Sequence, residues 1–250
     1  MIRRLVTFSM AAALFAAAAC SKPAAAPAAP AHPNLSGSWV RPLGDREVGG
    51  LPPVNEIPFT PWAATKLKAE RPAAGENQDF ANTTDPSLKY ADPNGYPRIS
   101  MHPMRFKLIQ TDDYLYQLWE YNQNWRQIAL NKPQEPDPAL TWYGNAVGTW
   151  DGDTLVVDSI GYKDSTWLDS RGVPHTQDLH IVERIHRAGE NLVFDLTFED
   201  PGAFTKPWSA SLTFRPAPDG TMTETIYTIS DELRFRERFL QQKPAIPIRR

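Results

Sequence analysis

Cysteine is all but missing from this 250-residue chain, which has Cys20 and no other. A single thiol excludes an intrachain disulfide and a cysteine-rich metal site. Positive charge is not in excess either: 26 Lys and Arg stand against 29 Asp and Glu. Nothing here neutralises a phosphate backbone, so nucleic acid is not an expected partner. Glycine is scarce beside proline, 14 residues against 24. Proline lacks the amide proton that interior helical turns need, which argues against a mostly helical chain. The chain contains no G-x-S-x-G, no H-E-x-x-H and no dinucleotide fingerprint, so the familiar hydrolase, zinc-protease and Rossmann chemistries have no residues to stand on. What it does have is 41% hydrophobic residues, enough to build a globular core.

The beginning of the chain reads as targeting. Arg3 and Arg4 form a basic region, Leu5 to Ala19 is an apolar run short for a bilayer span, and small alanines lead into Cys20. That order resembles a bacterial lipoprotein signal, which implies cleavage after residue 19 and a lipid on Cys20. An ordinary signal peptide cut near Ala19 is the alternative. In either case the mature protein leaves the cytoplasm, and with Ser21 after the cysteine the expected location is the periplasm, anchored to the outer membrane. Without Arg3 and Arg4 the acidic excess only grows, so a polybasic membrane patch is not available and the anchor must be the lipid itself. Residues 20–34 then form an Ala/Pro tether that runs extended. A single domain is expected over 35–240, with 241–250 as a C-terminal tail.

Prolines interrupt residues 40–103 so often that irregular wrapping is expected there. The exception is Thr60 to Glu70, where a capping Thr60, Pro61 at the first helical position and Trp62 and Leu67 predict one short helix. From Met104 the hydrophobic period becomes two, and turn signals recur as in an antiparallel meander. Phe106 and Leu108 alternate with Arg105 and Lys107. Asp151-Gly152-Asp153 joins two strands as a hairpin, and Leu192, Phe194, Leu196 and Phe198 share one face. Further strands are expected at Leu179 to Arg187, Trp208 to Arg215 and Thr221 to Ile229, with Gly37-Ser38-Trp39 in a possible first strand. So many antiparallel strands with one apolar face must close or pack against a second sheet. The expectation is an all-β barrel of lipocalin-like type with a Pro-rich N-terminal wrap; a β-sandwich has the same periodicity.

Two resemblances bear on this. Gly37-Ser38-Trp39 at the start of a meander, with the late basic segment Arg234-Phe235-Arg236, looks like the lipocalin arrangement in which a G-x-W closes the barrel floor near an arginine. More specific is the run Trp150 to Arg187, WDGDTLVVDSIGYKDSTWLDSRGVPHTQDLHIVERIHR, followed by EDPGAFTKPW from Glu199 to Trp208. It is similar to a large, mostly uncharacterised family of secreted bacterial proteins, and the resemblance extends to the Thr60 helix start and to Gly95-Tyr96-Pro97-Arg98. It implies the fold and carries no settled activity. Relatives tend to have G-H-S where Gly144-Asn145-Ala146 stands, and a cysteine at each of the positions of Tyr90 and Tyr227.

The densest polar cluster is Trp167, Asp169, His175, His180, Glu183, Arg184 and His186. On the strand, Leu179, Ile181, Glu183 and Ile185 share one face, and His180, Val182, Arg184 and His186 the other. If the first face is core, Glu183 is a carboxylate among apolar neighbours and needs a cation. If the second lines a cavity, the histidines and Arg184 point into it. The expected arrangement is one polar network of Asp169, His175, His180, Glu183 and Arg184 at an open end of the barrel, with Asp169 a partner for Arg184. The spacing of these groups is poor for a metal, and no cofactor is expected. The leading function is binding of a small apolar or amphiphilic ligand, contacted by Trp167, Glu183, Arg184, Trp150 and Tyr143. Cofactor-independent acid/base catalysis by Asp169, His175 and His180 is the rival, and a structural envelope lipoprotein the third reading.

Overall fold

The computed structural model describes residues 32–42, 51–73, 78–218 and 221–241. Cys20, the signal region, most of the tether and nearly all of the C-terminal tail lie outside the described residues. Nine strands follow one another round a closed barrel: β1 (Gly37–Val40), β2 (Phe106–Gln110), β3 (Tyr114–Trp119), β4 (Trp125–Leu130), β5 (Asn145–Asp151), β6 (Thr154–Ile160), β7 (His180–Ala188), β8 (Asn191–Glu199) and β9 (Trp208–Pro216). β1 pairs with both β2 and β9, so the sheet has no open edge and the sandwich alternative falls.

An odd number of strands cannot close with antiparallel pairs alone. The exception falls between β4 and β5, which run parallel with Ile128 opposite Ala146 and Leu130 opposite Gly148. The purely antiparallel meander expected from the period of two is corrected at this point. A parallel neighbour requires the chain to travel back to its starting end, and residues 131–144 make that return.

Alternation sorts the side chains as the period of two implies. Leu192, Phe194, Leu196 and Phe198 on β8 are fully buried, as are Leu155 and Val157 on β6 and Ile181 and Ile185 on β7. At the hairpin end Phe106, Phe194 and Phe214 pack edge to face, with centroids 4.9 Å apart for Phe106–Phe214 and Phe194–Phe214. Such aromatic contacts fill the interior rather than leave it hollow. Trp39 closes the same region beneath the Arg187 guanidinium, 4.5 Å from its ring. The arginine over the G-x-W tryptophan therefore comes from β7. Arg234 and Arg236 sit instead on helix α3 (Ile229–Phe239).

The loop end carries the long insertions. Between β1 and β2 the chain forms α1 (Pro61–Ala69), capped by Thr60 as expected, the short α2 (Pro86–Lys89) and a 3-10 turn at Arg98–Met101. The strand expected at Thr221 to Ile229 does not form. Thr225 makes one isolated bridge to Tyr121, and Thr228 then starts α3 through a reciprocal capping box with Asp231. Acidic Asp231 and Glu232 in its first turn and basic Arg236 and Arg238 in its last suit the helix dipole. Local capping therefore overrides the weak period of two before it.

Candidate functional site

The segment feeding β7 does place Glu183 on the core face, and its side chain is fully buried. The required cation is Arg126 of β4, whose Nη2 donates to Glu183 Oε1 at 2.7 Å. Arg126 Nη1 donates to Gln117 Oε1 at 3.2 Å, across the β3–β4 pair in which Gln117 and Arg126 are opposite neighbours. Tyr96, from the wrap between β1 and β2, completes the group: its hydroxyl donates to Glu183 Oε2, and its ring lies 4.0 Å from the Arg126 guanidinium. Burial and the adjacent Glu183 charge hold the Tyr96 phenol well above its ordinary pKa, so it stays a donor. For Arg126 burial works against the charge, but the Glu183 carboxylate outweighs it and the guanidinium stays protonated.

Around this neutral pair several donors have no partner. Arg126 Nε, Gln117 Nε2, Trp119 Nε1 and the Tyr143 hydroxyl are all buried without a hydrogen bond. Trp119 and Tyr143 stack with ring centroids 5.9 Å apart, and Tyr96 lies 6.5 Å from Trp119, so the four donors belong to one continuous cluster. A groove of about 490 Å³ is lined by Trp125, Arg126, Ala129, Thr141, Tyr143 and Val147 among others; Trp125, Ala129 and Val147 belong to the outward phase of β4 and β5, so it lies on the outer side of that wall. Gly144 allows the chain to pass here: its φ is +71°, and a Cβ would come within 2.5 Å of the Tyr162 ring.

The expected single network does not form. Asp169 is buried and accepts from Arg171 Nε at 2.7 Å, while Arg171 Nη1 reaches the Pro52 carbonyl. His175 is buried in the same loop. Its Nδ1 faces the Thr176 carbonyl at 2.9 Å and must donate to it, which leaves Nε2 to accept from the Thr166 hydroxyl. Burial lowers its pKa, so this ring is a neutral structural bridge. His180 lies on the outer face, with Nε2 3.1 Å from Asp158 and Nδ1 3.4 Å from Glu199. Arg184, also outward, pairs with Asp151 at 2.9 Å and not with Asp169. Each of the five residues thus has its own partners, because strand alternation and loop geometry send them in different directions. The alternative in which His180, Arg184 and His186 line a cavity is overturned by their outward phase.

The remaining candidates are scattered as well. Trp167 is buried beneath Arg98, whose guanidinium lies 5.6 Å from its ring. Arg98 in turn grips Asp85 with two bonds of 2.8 and 2.5 Å, locking α2 to the turn that follows Tyr96. Trp150 sits at the hairpin end, stacked on His32 at 4.6 Å. Only Glu183 and Tyr143 join the interior cluster. Tyr90 is exposed and Tyr227 donates to Glu232.

Arg126, Gln117 and Tyr96 escaped the sequence reading. Arg126 was within reach, because it shares the inward phase of Ile128 and Leu130, and an inward arginine calls for an inward carboxylate. Tyr96 offered no such periodic signal. Among the described residues no group of His, Cys, Asp and Glu stands close enough to hold a metal ion, and no helix is long and apolar enough to cross a membrane. No protein-family model, curated protein or solved structure matches the chain.

Proposed function

We propose that this chain is a periplasmic ligand-binding barrel, tied to the outer membrane by lipid on Cys20, that takes a small amphiphilic molecule at the Arg126–Tyr143 cluster. The observations that carry the reading are four buried donors without partners in the barrel interior and a groove of about 490 Å³ whose lining includes Arg126 and Tyr143. A buried donor left unsatisfied costs about 1–3 kcal/mol, which an acceptor on a ligand would recover. Grooves of this size, largely apolar with a few placed polar groups, are typical of small-molecule sites.

The lipocalin-type reading draws support from Trp39 under Arg187 at the closed end of the barrel. Membership of the secreted bacterial family rests on sequence motifs, chiefly those from Trp150 to Trp208. The acid/base enzyme loses its motive, since Asp169, His175 and His180 have separate partners. The envelope-brace reading has one observation in its favour, the packing of Phe106, Phe194 and Phe214 through the hairpin end.

Native mass spectrometry of the purified chain separates binding from bracing. Binding predicts an additional non-covalent mass that leaves on collisional activation and is absent from a variant with the groove filled, such as Ala129→Phe. A bare chain from every preparation would sink the binding reading.

A further inference from the structure

We infer that the groove on the outer side of β4 and β5 takes an uncharged oligosaccharide, with the apolar face of one sugar ring stacked on Trp125. This rests on the ligand-binding reading and names the class of ligand for its groove.

The groove is built from the outward phase of the wall. Trp125, Gln127 and Ala129 alternate on β4 with the buried Arg126, Ile128 and Leu130, so the Arg126 guanidinium is turned into the barrel and takes no part here. Residues 131–144, which carry the chain from the end of β4 to the start of β5, add Lys132 and Glu135 to the lining, and Val147 comes from β5. Trp125 is 58% exposed. So open an indole gives an acyl chain little enclosure, and an apolar chain gains only by the area it buries. A sugar ring needs less: its C–H face covers the indole while its other face and its hydroxyls stay in water.

The polar groups around the indole point the same way. The exposed side chains of Gln127, Lys132 and Glu135 have no hydrogen-bond or ion-pair partner among the described residues, which leaves an amide, an ammonium and a carboxylate free in the groove. An amide and a carboxylate each present two polar atoms in one plane, a match for neighbouring hydroxyls that both donate and accept. Lys132 and Glu135 are of opposite sign, so with Arg126 turned inward the lining has no net charge to reward an ion. The closed sheet has no free strand edge for a peptide to extend. A second ring finds a platform on the adjacent strand. Leu118 stands opposite Trp125 and Tyr116 opposite Gln127, and Tyr116 is outward with its ring 5.7 Å from that of Tyr114.

The experiment titrates the purified full-length chain with cellotetraose, chitotetraose and, as the acyl alternative, dodecanoate, followed by saturation-transfer NMR and tryptophan fluorescence. At least one tetrasaccharide is expected to bind, about tenfold or more tightly than dodecanoate. Trp125→Ala should weaken it about tenfold and Gln127→Ala about threefold, the loss of a stacking face and of one exposed hydrogen bond. Both variants should keep their melting temperature, because both side chains are exposed, and Ala129→Phe should abolish binding by filling the groove. Dodecanoate binding as tight as that of the saccharides overturns the inference, as does saccharide binding unchanged by Trp125→Ala, or no binding of either saccharide. The copurified mass distinguishes the two levels. If it is present and lost with Ala129→Phe while both saccharides fail, the groove binds a ligand of another class and the inference alone falls; if it is absent too, the binding reading falls with the inference.

Discussion

Arg126 and Glu183 meet inside the barrel at 2.7 Å with side chains 1% and 0% exposed. They come from β4 and β7, which are not neighbours in the sheet, so the pair spans the interior and ties opposite parts of the wall together. Removing one member leaves a buried charge unpaired, at a cost of about 3–5 kcal/mol. Arg126→Met is therefore expected to destabilise the fold severely, while the double variant Arg126→Met/Glu183→Leu recovers much of the loss. Urea unfolding of the two singles and the double would measure the coupling, and additive effects would show that the pair does not act as a unit.

Acid should loosen the loop end before the barrel. His102 stacks on Tyr121 at 4.3 Å and contacts Asn94, and burial, aided by the Arg98 and Arg41 charges against the opposing Asp85, lowers its pKa to about 4. A depressed histidine favours the folded state while neutral. That stability is complete above the unfolded value near 6.5 and is lost as pH falls from there toward 4, on the order of 3 kcal/mol. Melting temperature measured from pH 7 to pH 4 should fall steeply in the wild type and less in His102→Gln. An unchanged slope in the variant would assign the acid sensitivity elsewhere.

Gly144→Ala tests the close approach at the groove. At φ +71° an alanine is strained by about 1–2 kcal/mol, and its Cβ would also press on the Tyr162 ring. The expected loss exceeds that of Gly152→Ala, at a hairpin glycine of φ +59° whose Cβ meets nothing within 4 Å. Equal losses would mean that the backbone strain alone matters.

Cys20→Ser addresses the anchor. If lipid on Cys20 is the attachment, as proposed, the variant should move from the membrane fraction to the soluble periplasmic fraction. Unchanged fractionation would remove the lipid from the account.

Strand phase could be read directly from the chain, because side chains alternate with a period of two whatever they pack against. That is why the shared face of Leu192, Phe194, Leu196 and Phe198 on β8, the Asp151-Gly152-Asp153 hairpin and the common face of Glu183 with Leu179, Ile181 and Ile185 were legible, although which face of β7 turns inward was left to the fold. The Thr60 cap of α1 was legible for a similar reason, since capping chemistry lies within one turn. The partner of Glu183 was not. Arg126 and Tyr96 lie 57 and 87 residues away, and local periodicity says only that a charge points inward, never which other strand it meets. Only closure chose them. The same holds for the parallel β4–β5 pair, which follows from the parity of a nine-strand ring and not from any residue in it, and for Asp169, His175, His180 and Arg184. Those four are close in the chain, but the loop and the alternation of β7 turned them toward separate partners.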